Sequence, residues 1–90
     1  MCLSTLALSA QQSRKVSGQV TDTSGEPIIG AGVFVEGTTN GTVTDIDGMY
    51  VLTVPEGAKI VFSSLGFATE TVESGNQTTI NMMLGEDRQL

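Results

Sequence analysis

Between Lys15 and Asp22 side chains of opposite character alternate, with Val16, Gly18 and Val20 on one parity and Ser17, Gln19 and Thr21 on the other. A period of two places these sets on opposite faces of an extended strand; a helix would repeat its apolar stripe every three to four residues. The run ends at the turn signal Ser24-Gly25-Glu26-Pro27 and a second apolar run begins at Ile28 to Ala31. The same logic recurs downstream, where Asp45-Ile46-Asp47-Gly48 turns the chain and Met49 to Val54 alternates, with Tyr50, Leu52 and Val54 on one side, until Pro55. A chain written this way folds as short strands joined by tight turns.

The remaining segments fit that rule. Pro27 has no N–H for a ladder and marks a loop or an edge. Ala31 to Glu36 is a predicted strand with Ala31, Val33 and Val35 on one face and Phe34 on the other. Asn40-Gly41 suits a hairpin turn, and Thr42 to Asp45 is then a short polar strand at an edge. Lys59 to Ser64 is expected to point Ile60 and Phe62 inward and Lys59, Val61 and Ser63 outward, with Leu65-Gly66-Phe67 as a corner. Ala68 to Glu73 is half polar, Ser74-Gly75-Asn76-Gln77 turns the chain, and Thr78 to Leu84 closes it with Ile80, Met82 and Leu84 inward. Strands this short, separated by closely spaced turns, imply two antiparallel sheets packed face to face. Their inner faces are the Val16/Val20, Val33/Val35, Tyr50/Leu52/Val54, Ile60/Phe62 and Ile80/Met82/Leu84 sets.

Composition narrows the functions such a fold can carry. Ninety residues make one domain, and a chain this short buries only about 60 to 65% of the surface it exposes when unfolded. With three Phe, one Tyr and no Trp the core is mainly aliphatic. A net charge of −6 with four basic residues gives no footprint for a phosphate backbone or an anionic membrane surface. No His and a single Cys remove the usual transition-metal ligands and any His-dependent triad. No catalytic, cofactor-binding or metal-ligating residue is therefore assigned, no cofactor is expected, and a ligand-binding residue is not identifiable.

The first residues suggest export. Met1 to Ala10 is apolar or small and ends in Leu8-Ser9-Ala10-Gln11-Gln12, the pattern of a secretory signal with a cut between Ala10 and Gln11. No basic segment precedes the apolar run, which is shorter than a full signal core. Cys2 has no partner within the chain, and it precedes the apolar stretch where a lipid-acceptor cysteine would follow it. No stretch reaches the ~20 apolar residues of a membrane-spanning helix.

Several residues invite a chemical reading. Asp45 and Asp47 before Gly48 resemble part of a calcium loop, but the later ligands and the bidentate Glu of a full loop are missing; a hairpin turn accounts for them. Glu26 and Glu36 could be offered as a glycosidase pair, although nothing in the sequence places them together. Tyr50, Phe62 and Phe67 could stack on sugars, yet parity directs Tyr50 and Phe62 into the core. Phe34 has the opposite parity and is the better candidate for an exposed contact. Met83 points outward beside Met82.

The ordered motifs Val16-x-Gly18-x-Val20-x-Asp22, Gly25-Glu26-Pro27-Ile28, Gly30-Ala31-x-Val33-x-Val35, Gly37-Thr38, Gly41-Thr42-x-Thr44-Asp45-x-Asp47-Gly48-x-Tyr50 and Val54-Pro55 resemble the carboxypeptidase-D regulatory-like domain. Ile60 to Phe67 and Thr79 to Leu84 extend the likeness, which covers about residues 15 to 85. It is nearest the N-terminal extension of SusC/RagA-type TonB-linked outer-membrane proteins. The resemblance implies a transthyretin-like, seven-stranded antiparallel β-sandwich. It also implies a signal-peptide remnant or disordered tail over residues 1–14 and a linker over 86–90 leading to a TonB box, plug and barrel.

The function so implied is that of a non-enzymatic periplasmic accessory domain of an importer of glycans or peptides. It would act by protein contacts with the importer's own plug and barrel or with the energising machinery, reaching the membrane only through the barrel. The alternative is a ligand- or carbohydrate-binding accessory module of a secreted peptidase or surface protein.

Overall fold

A computed structural model describes residues 13–87 of the chain. Seven strands run along it: β1 (Ser13–Thr21), β2 (Gly32–Val35), β3 (Gly41–Val43), β4 (Met49–Pro55), β5 (Lys59–Ser63), β6 (Glu70–Glu73) and β7 (Met82–Met83). They form a three-stranded sheet in the order β4-β1-β7 and a four-stranded sheet in the order β3-β2-β5-β6. No helix occurs among the described residues. The expected signal segment, its cut at Ala10 and Cys2 lie outside them.

Parity decides which face of each strand is covered. β1 buries Val16, Gly18 and Val20 while its alternate residues stay more exposed, and β4 alternates strictly, burying Tyr50, Leu52 and Val54. These side chains meet Val33, Val35, Ile60 and Phe62 of the other sheet in one core that also takes Ile28, Ala31, Ile80 and Leu84, with Met82 partly buried against it. Tyr50 of β4 packs edge-on against Phe62 of β5, ring centroids 5.6 Å apart at 77°, an arrangement favoured by the ring quadrupoles. The β-sandwich expected from the sequence is the observed fold, and every inward set predicted from alternation faces its core.

Two details depart from expectation. Val61 was predicted outward and does lie on the outer face of β5, yet it is only 8% exposed. On a central strand it is flanked by Phe34 of β2 and Thr71 of β6 in one cross-strand row, and neighbours at such short range shield a small side chain. The second concerns direction: β7 pairs with β1 in parallel, Val20 opposite Met82, whereas all other strand ladders are antiparallel. The chain leaves β6 in one sheet and crosses to the free side of β1 in the other. Backbone bonds from Ile80 N to Ser17 O (2.9 Å) and from Leu84 N to Thr21 O (2.8 Å) fasten it there. The last segment is therefore less regular than the Thr78 to Leu84 strand predicted, and only Met82–Met83 counts as strand.

The chain end is tied back. Phe67 and Glu86 form an isolated antiparallel bridge, and Ala68 N and Asp87 N donate to Gly85 O and Gly66 O. The corner at Leu65-Gly66-Phe67 thus packs against residues just beyond the closing strand.

Candidate functional site

An open sandwich exposes strand edges, and their backbone groups are its most reactive surface toward other chains. Of the two edges of the four-stranded sheet, β6 carries Glu70 and Glu73, charges that deter pairing. The other edge, β3, is Gly41-Thr42-Val43 and has no charge. Val35 N donates to Asn40 O at 2.9 Å and Thr44 N to Ala31 O at 3.0 Å, so the alternation of an antiparallel ladder turns the N–H and C=O of Gly41 and Val43 away from β2. The expectation of an edge strand near Thr42 is met here, shifted so that Thr44 and Asp45 fall beyond it.

Beside this edge lies a shallow groove of about 500 Å³ lined by Phe34, Thr38, Thr39, Gly41, Thr42 and Val43. Phe34 is half-buried and stands directly across from Gly41. A Cβ on residue 41 would come to 2.5 Å from Phe34 Cβ, so the phenyl side chain takes this position because its neighbour is glycine. Val43 is exposed next to it. The parity argument for Phe34 as a surface contact leads to this groove, whose lining is uncharged and mixes apolar groups with threonine hydroxyls.

Side chains fasten β4, the edge of the other sheet, near its end and in the turn that leads into it. Asn40 Nδ2 donates to Thr53 O at 2.9 Å, joining the β2–β3 hairpin to β4. Asp45 Oδ1 accepts from Asp47 N and Met49 N, both at 2.9 Å, while Asp45 N donates to Met49 O and Gly48 N to Asp45 O. The Asp22 turn is built alike: its Oδ1 accepts from Ser24 N at 2.8 Å and Glu26 N at 3.0 Å, and Gly25 takes the place of Gly48 with φ of 87° against 74°. Only glycine adopts such angles without strain. The carboxylate of Asp45 thus organises a turn, and among the described residues no group of three His, Cys, Asp or Glu is placed to hold a metal ion.

The other sequence candidates are dispersed. Tyr50 and Phe62 lie in the core, and the Tyr50 hydroxyl donates to Ile80 O at 2.6 Å; burial pushes its pKa up to about 12. Phe67 is half-buried at the corner. Glu26 sits in the β1–β2 turn and Glu36 follows β2, so four residues of strand lie between them. Met83 is exposed as expected, with Met82 at the edge of the core.

Sequence reasoning missed two buried polar residues, one beyond each edge strand of the four-stranded sheet. Thr44 is 3% exposed; its hydroxyl donates to Ile28 O at 2.5 Å and accepts from Ala31 N at 2.8 Å. Ser74, fully buried, donates its hydroxyl to Ala58 O at 2.8 Å. Only their position between strand and turn hinted at this, because a threonine or serine at such a spot is usually solvated.

Fold and edge define the class: a small two-sheet β-sandwich domain whose distinctive surface is an uncharged, open edge strand. The chain belongs to the CarboxypepD_reg-like domain family, whose family model matches residues 16–90. It is 43% identical over 75 residues to the TonB-dependent receptor SusC of Bacteroides thetaiotaomicron, and the match covers 83% of this chain and 7% of the receptor. It is 39% identical over 79 residues to the TonB-dependent receptor P3 of Formosa agariphila, covering 86% of this chain and 8% of that protein. The chain therefore spans less than a tenth of the length of these relatives.

Proposed function

We propose that this chain is an accessory domain of a SusC-like TonB-dependent outer-membrane importer, held on the periplasmic side and acting through protein contacts without catalysing a reaction. The observation that carries the reading is the 43% identity to a TonB-dependent receptor, which extends across both sheets of the sandwich. The geometry supplies a means of contact. An extended segment of the importer or of its energising machinery adds to β3, donating to and accepting from the outward backbone groups of Gly41 and Val43, with one of its side chains in the Phe34 groove. Substrate selection and passage belong to the rest of the receptor.

Val43→Pro tests this in the full-length receptor. It removes one outward N–H while leaving the bonds between β2 and β3 intact, because the Val43 N–H faces away from β2, and proline is tolerated at such an edge position. The reading expects uptake to fall several-fold at unchanged receptor abundance in the outer membrane. Unchanged uptake, in a variant shown to be folded, contradicts a role for this edge.

A further inference from the structure

The hairpin joining β2 to β3 contains Asn40 followed by Gly41, and we propose that this pair is a site of spontaneous covalent modification that unfastens the hairpin from β4. The Gly41 amide nitrogen attacks the Asn40 side-chain carbonyl carbon. A ring N–C bond forms as the C–NH2 bond breaks, the amide proton passes through solvent base to the departing nitrogen, and ammonia leaves. Water then opens the five-membered imide at either carbonyl, giving aspartate or isoaspartate at position 40. Solvent water is the only co-reactant, and no electron is transferred.

Three features of the fold favour reaction here. Both residues are exposed. Gly41 has no side chain to block the approach, and its N–H points to the open side of β3, where no ladder bond holds it. Asn76 and Asn81 provide internal contrasts, because Gln77 and Met82 follow them where Gly41 follows Asn40.

The consequence follows from what Asn40 does. Its side-chain amide donates to Thr53 O, its backbone N–H donates to Thr38 Oγ1 at 3.0 Å, and its carbonyl accepts from Val35 N. A carboxylate at this position has no proton to give Thr53 O, so two acceptors face each other and the tie between the sheets is lost. Isoaspartate also adds a backbone carbon, which displaces the Val35–Asn40 pair that sets the β2–β3 register. The inference stands on these contacts and does not depend on the importer reading.

Incubating the folded chain in mildly alkaline buffer, with peptide mapping that separates aspartate from isoaspartate, tests the chemistry. The expected result is conversion at Asn40 an order of magnitude faster than at Asn76 or Asn81, and its abolition in Asn40→Gln, where a six-membered ring would have to close. Conversion no faster than at the other two asparagines, or seen only when the chain is unfolded by denaturant, overturns the proposal. Amide exchange on folded Asn40→Asp tests the consequence: protection in β2 and β3 should drop several-fold while β1 is unchanged. Equal protection in both chains overturns the unfastening.

Discussion

Tyr50 ties the two sheets together through a single side chain, its ring against Phe62 and its hydroxyl on Ile80 O. Room for that contact comes from Gly18, where a Cβ would overlap the Ile80 carbonyl and lie 3.1 Å from Tyr50 Cε1. Gly18→Ala should therefore destabilise by about 2 to 4 kcal/mol through overpacking and backbone displacement, measurable as a lower denaturant midpoint. Burial also makes Tyr50 a source of alkaline sensitivity. Its pKa is pushed up to about 12, against about 10 in an unfolded chain. Below pH 10 both states keep the proton and the contribution is complete. Between pH 10 and 12 only the unfolded state ionises, so stability falls with rising pH by on the order of 2 kcal/mol and then levels. Tyr50→Phe should remove this component of the alkaline slope while costing about 1 to 3 kcal/mol at neutral pH, because Ile80 O loses its donor. An alkaline profile identical in both chains would show that Tyr50 is not the titrating group.

At the scale of elements, two aspartate turns and one buried threonine fix how the strands enter and leave the sheets. Asp22→Ala and Asp45→Ala each delete a carboxylate that accepts two backbone N–H groups. Each should cost about 0.5 to 2 kcal/mol, the range for comparable caps, and calorimetry should give similar losses for the two. Thr44→Val keeps the shape but strands Ala31 N and Ile28 O in a buried site, an expected loss of about 2 to 4 kcal/mol. Much of the fold was legible because a half-buried strand writes its burial into parity, as Tyr50, Leu52 and Val54 do, and because turn signals such as Ser24-Gly25-Glu26-Pro27 and Asp47-Gly48 declare themselves. Thr44 and the Val61 surface were not legible, since both depend on what the neighbouring strand brings across. The parallel placement of β7 is likewise decided by the crossing from sheet to sheet. For the candidate site, the odd parity of Phe34 and the polar run at Thr42 pointed to the edge that β3 occupies, but the groove needed Gly41 and Phe34 to be seen side by side.

The whole molecule is a thin two-layer domain whose core has one tyrosine and one phenylalanine fully within it. Leu52, 4% exposed in that core, should cost about 2 to 4 kcal/mol on truncation to alanine, a large fraction of what so small a domain holds. Under the function proposed above, this domain, matched to a short part of TonB-dependent receptors, makes contacts on behalf of a larger receptor. The most direct test of that claim removes the segment corresponding to residues 15–85 from the full-length receptor and measures TonB-dependent substrate uptake by cells, with surface abundance of the barrel measured in parallel. The account predicts that uptake drops while the barrel remains in the outer membrane. Uptake equal to that of the intact receptor at equal abundance would contradict it.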